Sequence, residues 1–324
     1  MQRREVLKAG LTTALAGAGL GAVAGVAQGA AAQAGAQGGQ PDANASAGAV
    51  KAPRTLRKAV MIGMVGEGAT LADKFMLLRD CGFAGVEMDS PGMPPADEVR
   101  AAMDKSGLAV HGLVNSVHWK YHLNSPDDAV VGKAVEALET CLRDAKAVGA
   151  SSVLLVPAVV NGRQPYDRAW QRSMRAIRSV LPLARETGVK IAIENVWNGF
   201  LLSPLEAARY VDEFADPMVR FHFDIGNVIN FGWPDQWVRI LGGWIEKLHI
   251  KDFSRKRRDE AGLWKGFEAD IGDGDAGWAE VMAALDETGY ATAPEGRWAT
   301  AEVRGGDRTR LAEISKRMDD VLRR

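Results

Sequence analysis

Four residues in the C-terminal part of the chain have side chains suited to gripping one divalent cation. Glu194 closes the apolar part of "IAIENVWN", Asp224 lies in "FHFDIGN", His249 in "KLHIKDF" and Glu302 in "AEVRGG". Three carboxylates and one imidazole form a donor set that suits Mn²⁺ first, with Mg²⁺ or Co²⁺ as alternatives. A carboxylate at the end of an apolar run is costly to bury by itself. A cation lying against it removes that cost. Each residue also has an ordinary explanation. An acid at a strand end often only caps a helix, and a single His on an apolar strand is usually a satisfied core residue. Four of them in succession, each at the end of a predicted strand, point to one shared metal.

The elements that must position them are regular. From residue 57 onward short apolar runs alternate with amphipathic stretches. "AVMIGMV" precedes "TLADKFMLLRDCG", "FAGVEMD" precedes "PADEVRAAMDKSG", and "LAVHGLVN" precedes "DDAVVGKAVEALETCLRDAKAVGA". "SSVLLVPAVV", "VKIAIENV", "VRFHFDIGN", "IEKLHIKDF" and "TAEVRGG" continue the series, each followed by a helical pattern. Gly82, Gly107, Gly149, Gly188 and Gly289 stand where helices should stop. Strands alternating with helices imply a parallel sheet, and eight such units imply a closed (β/α)8 TIM barrel. An open doubly wound sheet would show a Gly-rich turn after its first strand, and none follows "AVMIGMV". "GDGDAG", Gly272 to Gly277, matches a dinucleotide pattern but follows a charged loop, so it reads as a turn before a helix starting near Trp278. Period-two alternation pairs Ala192 with Glu194, His222 with Asp224, Lys247 with His249 and Thr300 with Glu302. The four candidate ligands thereby face the barrel axis near its mouth, where chemistry sits in this architecture.

The beginning of the chain has a different character. "MQRREVLKAGLTTALAGAGLGAVAGVAQGA" has a charged start, a weakly apolar middle and small residues after it, and Arg3-Arg4 resembles the twin-arginine export pattern. The expected organisation is an export signal over 1–34, a flexible linker over 35–56 and the catalytic barrel over 57–324, with a periplasmic destination. No stretch after the signal is long and apolar enough to span a bilayer. The formal net charge is −1 and there are 5 His, which argues against nucleic-acid binding and against a metal-rich nuclease. Cys81 and Cys141 lie in predicted helices without ligand spacing and read as packing residues.

The ordered set "IAIEN", "DIGN", "HIKDF", "IGDGDAGW" and "AEVRGGD", with the early "SVHWKYHLNSPD", resembles the xylose isomerase-like barrels. Within them it is most similar to the sugar phosphate isomerase/epimerase family, near the ketose 3-epimerases and the L-ribulose/L-xylulose-5-phosphate 3-epimerases. The resemblance implies that Glu194, Asp224, His249 and Glu302 bind one metal, and that Glu194 and Glu302 also form the acid/base pair. It implies substrate contact by Arg255, six residues after the ligand His. Two departures stand out: Phe200 replaces a glutamate and Asn227 a histidine found in some ketose epimerases.

The implied activity is a metal-dependent sugar isomerase or epimerase that moves the proton next to a keto-sugar carbonyl through a metal-bound enediolate. A lyase or hydratase of a keto-sugar or keto-glycoside could use the same residues, and a non-catalytic periplasmic sugar-binding barrel is the reading from another class. Glu87, His111 and His118, at or just beyond strands two and three, are expected to bind sugar hydroxyls, as are Asn227, Lys251 and Arg304. Gly305-Gly306 could present amides to a phosphate. "SRKRRDE" reads as a solvated charge run. The expected partner is a small sugar, with a homo-oligomer compatible with the family.

Overall fold

The eight predicted strands all form, and they close on themselves. A computed structural model describes residues 52–324, so the segment expected to be an export signal and most of the expected linker lie outside the described residues. The strands are β1 (Arg57–Met61), β2 (Gly85–Ser90), β3 (Ala109–Asn115), β4 (Ser152–Leu155), β5 (Lys190–Glu194), β6 (Val219–Asp224), β7 (Ile245–Ile250) and β8 (Trp298–Ala301). They pair in parallel in chain order, and β8 returns to β1 to complete the barrel. The helices are α1 (Leu71–Asp80), α2 (Ala96–Ser106), α3 (Asp128–Val148), α4 (Tyr166–Thr187), α5 (Pro204–Asp212), α6 (Pro234–Leu241), α7 (Arg255–Ala261), α8 (Trp278–Glu287) and α9 (Arg308–Leu322).

Local signals explain most boundaries. Thr70 and Asp73 form a reciprocal capping box on α1, and Ser203 caps α5 with Pro204 in its first turn. Gly107, Gly149 and Gly188 take the left-handed conformation that ends α2, α3 and α4. Trp278 opens α8, as the turn reading of "GDGDAG" requires. The charge run is largely exposed, as expected, but it is helical and not a loop. It folds as α7, because Ser254 Oγ accepts the Arg257 N–H and starts a helix among strong helix formers. Arg54 and Thr55, assigned above to the linker, are already tied to the barrel, by Asp286 and by the Ala291 carbonyl.

Alternation within the strands builds two cores. Ile191, Ile193, Phe221, Phe223, Leu248 and Ile250 are fully buried between sheet and helices. Each such side chain contributes about 1.5–3 kcal/mol by leaving water. Among their neighbours in sequence, Glu194, His222, Asp224, Lys247 and His249 point into the barrel and are polar, while Ala192 is small and apolar. Two register shifts keep that phase. Phe221 pairs with Ile245 but His222 with Lys247, and Val86 pairs with Val110 but Glu87 with Gly112. The skipped residues are bulges, which re-aim the side chains beyond them.

Candidate metal centre

Glu194 is the last residue of β5, Asp224 the last of β6, and His249 lies one residue before the end of β7. Glu302 stands one residue beyond β8. A closed parallel barrel gathers these ends at one mouth, and one donor atom from each of the four lies within 4.8 Å of the others. His249 Nδ1 is the hub. It sits 3.0 Å from Glu194 Oε1, 3.2 Å from Glu302 Oε2 and 3.8 Å from Asp224 Oδ2. Lys251, two residues on, places Nζ 2.7 Å from Asp224 Oδ2 and 2.8 Å from Glu302 Oε2.

Burial and mutual charge set the protonation of this group. Burial pushes Asp224 up to about 7 although Lys251 pulls the other way. Burial also raises Glu194, partly countered by its hydrogen bond with His249. Glu302 is driven the opposite way: burial would raise it, but Lys251 and His249 outweigh that and hold it well below the usual carboxylate range. Burial opposes charging of His249, yet Glu302 and Glu87 hold its pKa well above the ordinary imidazole value. Protonated His249 and Lys251 thus supply the positive charge among these acids. The donor set fits a divalent cation. Asp224 Oδ2 has no hydrogen-bond partner although fully buried, and its contact with Lys251 is an ion pair without hydrogen-bond geometry. Glu194, Asp224, His249 and Glu302 would hold the ion.

The motif residues that are not ligands lock the ligands in place. Asn195 accepts the Asp224 N–H through Oδ1 and donates through Nδ2 to the Asp224 carbonyl, each at 2.8 Å, so it stitches β5 to β6. Asn227 N–H donates to Asp224 Oδ1 at 2.9 Å, which aims the other oxygen at the centre. Gly226 of "DIGN" is needed for the lysine, because a Cβ there would come 2.3 Å from Lys251 Cγ. Asp252 of "HIKDF" accepts the amides of Gly272 and Ala276 and the Trp278 indole N–H. A Cβ at Gly274 would fall 2.2 Å from Asp252 Oδ1, so this glycine of "GDGDAG" makes room for the carboxylate.

Beneath the mouth lies a buried polar layer of Glu87, His111, His222, Lys247 and Thr300. Lys247 Nζ donates to the His111 carbonyl, and burial lowers its pKa to about 8 despite the nearby Glu87. His222, with neither ring nitrogen hydrogen-bonded, is kept neutral by burial and by His249, its pKa near 3. Sequence reading paired His222, Lys247 and Thr300 with ligands on one strand face without assigning them a place in the site.

The expected substrate contacts separate into different locations. Glu87 and His111 are interior rather than at the mouth; the His111 ring stacks on Trp298 at 4.3 Å, inside the barrel. The bulge at His111 puts both it and Gly112 on the inner side, which strict alternation does not foresee. His118 accepts the Val156 N–H through Nδ1 and is buried. Asn227 spends its amide on the Asn195 carbonyl. Arg255 donates to the carbonyls of Ile229 and Gly232 and so pins the loop after β6. Arg304 is exposed, whereas Lys251 reaches two of the acids and Glu87 meets His249 Nε2 from below. Phe200 packs with Tyr166, Trp170 and Tyr210 between α4 and α5. Gly306 N–H donates to the Met64 carbonyl, and a Cβ at Gly305 would lie 1.9 Å from that oxygen. The glycine pair therefore permits close chain packing instead of forming a phosphate nest. Cys81 and Cys141 are free thiols, and Cys141 is buried in packing.

The class of protein is a (β/α)8 barrel with a three-carboxylate, one-imidazole cluster at its mouth. The family model for the xylose isomerase-like TIM barrel matches residues 75–320, and the chain belongs to that family. It is 25% identical over 191 residues to the L-ribulose-5-phosphate 3-epimerase UlaE of Salmonella paratyphi C, covering 59% of this chain and 64% of that protein. The Escherichia coli O1:K1 protein of the same name is 24% identical over 190 residues, again spanning 64% of its length. Among solved structures, the 3-keto-D-glucoside 4-epimerase YcjR from E. coli superposes with TM-score 0.67 at 15% identity, over 82% of this chain and 98% of that one. D-psicose 3-epimerase from Clostridium cellulolyticum H10 gives 0.66 at 18% identity, over 82% and 99%. These likenesses establish the fold. No helix among the described residues is long and apolar enough to cross a membrane.

Proposed function

We propose that the protein is a divalent-metal-dependent isomerase that moves a proton on the carbon beside the carbonyl of a keto-sugar, acting as an epimerase. The observation that carries this reading is the convergence of Glu194, Asp224, His249 and Glu302 at the barrel mouth. A divalent ion held there, Mn²⁺ first, would polarise a ketone oxygen and make the neighbouring C–H more acidic. Glu194 and Glu302 reach the centre from strands three apart around the ring. One takes the proton from carbon, and the other returns one to the opposite face. Asp224 and His249 act as ligands only. Lys251, between Asp224 and Glu302, is placed to hold Glu302 ionised and to donate to a sugar oxygen.

The Gly306 N–H, already given to the Met64 carbonyl, favours an unphosphorylated keto-sugar or keto-glycoside over a sugar phosphate. Export through the Arg3-Arg4 segment belongs to the same reading, since sugar phosphates are mostly cytoplasmic. The test is solvent-deuterium incorporation into a panel of ketoses, keto-glycosides and pentulose phosphates with the Mn²⁺-loaded protein. Incorporation with inversion supports the epimerase. Release of a leaving group supports a lyase instead, and no exchange with any substrate that binds supports a sugar-binding barrel.

A further inference from the structure

Glu87 was expected to meet substrate, and its surroundings argue for another task. It stands on β2 with 1% of its surface exposed, inside the barrel and below the mouth. Both oxygens are engaged by groups of the wall opposite or beside it. Oε2 lies 2.9 Å from His249 Nε2. Oε1 accepts from Thr300 Oγ1 at 3.3 Å, and that hydroxyl in turn lies 3.1 Å from His111 Nε2. The space Glu87 uses is kept open by Gly112, where a Cβ would come 3.4 Å from Oε1 and 2.9 Å from Lys247 Nζ.

The two nitrogens of His249 therefore face different partners. Nδ1 faces Glu194, Asp224 and Glu302, while Nε2 faces Glu87. A neutral imidazole can bind a cation only through the nitrogen that carries no proton, and a carboxylate at the other nitrogen decides which one that is. We propose that Glu87 is the positioning residue of the metal centre: it accepts the Nε2–H of His249, fixes the tautomer that turns the Nδ1 lone pair toward the three carboxylates, and does not touch substrate. This rests on the metal-centre reading above.

The donor atoms of Glu87, His222 and His249 also lie within 4.8 Å of one another, so a second buried ion must be weighed. Charge decides against it. Glu87, Glu194, Asp224 and Glu302 against Lys247 and Lys251 leave −2 with neutral imidazoles, which one divalent ion cancels. A second ion would leave +2 inside the barrel, and it would require His249 to give up both ring protons.

The test compares Mn²⁺ affinity, by competition with a fluorescent chelator, in the wild type and in Glu87→Gln, Glu87→Leu, Glu87→Asp and Thr300→Val. Glu87→Leu removes the acceptor and should weaken Mn²⁺ binding about 10–100-fold. Glu87→Gln keeps an acceptor oxygen at the same reach and should recover most of that loss. Glu87→Asp keeps the charge but withdraws the acceptor, so it should bind more weakly than Glu87→Gln. Thr300→Val should cost only a few-fold. ¹⁵N-histidine NMR of the Mg²⁺-loaded protein should show His249 protonated at Nε2 in the wild type and in Glu87→Gln. Thermal unfolding of the metal-stripped variants checks that each folds, and if Glu87→Leu does not, the order of Gln and Asp decides. Wild-type affinity in Glu87→Leu, Asp binding as tightly as Gln, or two ions per chain would each overturn the proposal. A wild type that binds no Mn²⁺ would instead overturn the metal-centre reading.

Discussion

Strands β1 to β4 end in Met61, Ser90, Asn115 and Leu155, while β5 to β8 end in or beside Glu194, Asp224, His249 and Glu302. Polar residues occur at both sets of ends, but they are satisfied differently. Ser90 Oγ donates to Asp144 of α3 at 2.6 Å, and Asn115 Oδ1 accepts the Val117 N–H two residues on. The first bond goes out to a surrounding helix and the second closes a local turn, and neither involves a group of the central cluster. The acids of the second half meet His249 and Lys251, which come from another strand, and Asp224 Oδ1 also accepts the Asn227 N–H. A polar strand end marks a candidate site when its partner must come from another strand, and reads as scaffolding when a surrounding helix or the next turn supplies it.

The contrast can be broken most directly by removing the acid/base pair. Glu194→Gln and Glu302→Gln should each lower solvent-deuterium exchange into a keto-sugar by about 10²–10⁴-fold. Ser90→Ala, in the other half, should leave exchange unchanged and cost only about 1 kcal/mol of stability, read by denaturant unfolding. Equal losses from both halves would remove the distinction.

Metal addition is the next test. At an ion concentration about a hundred times the Kd, binding should add about 2.7 kcal/mol of stability, seen as a rise in Tm that chelator reverses. The effect should depend on pH with a definite sign. His249 has a raised pKa in the folded protein, so its contribution is fully present below its unfolded value and is lost as pH rises through the folded one. Asp224, raised to about 7, holds a proton in the folded state that the unfolded chain releases near pH 4, so it too makes metal-stripped protein less stable as pH rises across that window. A bound ion displaces both protons, so metal affinity and the Tm gain should increase from about pH 5 to pH 8. A flat or falling profile by calorimetry would separate the ion from this cluster.

The smaller effects test the locks. Asn195→Ala removes both bonds to the Asp224 backbone and should destabilise by about 1–3 kcal/mol while weakening metal binding. Gly274→Ala forces a Cβ against Asp252 and should cost about 1–3 kcal/mol with metal affinity nearly unchanged, because Asp252 supports a loop and not the ligands.

The four converging residues were legible because each lies at a place the alternation of strand and helix defines, and because inward residues repeat every second position. Glu87 and His111 were misplaced for a related reason. Their strands were read correctly, but depth along a tilted strand and the bulge at His111 depend on neighbours that sequence spacing does not contain. Asn227 and Arg255 were assigned to substrate by resemblance, and their hydrogen bonds go to backbone groups of adjacent loops. Helix α7 escaped because it buries no side chain, so no apolar period marks it, and its local sign is the Ser254 cap.

By itself the sequence determined the eight-fold repeat, the stops and starts of its helices, and which strand ends carry carboxylates, since these follow from local propensity and periodicity. Only the tertiary structure decided that the four candidate ligands share one point, that His249 presents one nitrogen to them and the other to Glu87, and that Lys251 lies between two acids. Such contacts join residues far apart in the chain, and closure of the barrel sets their distances.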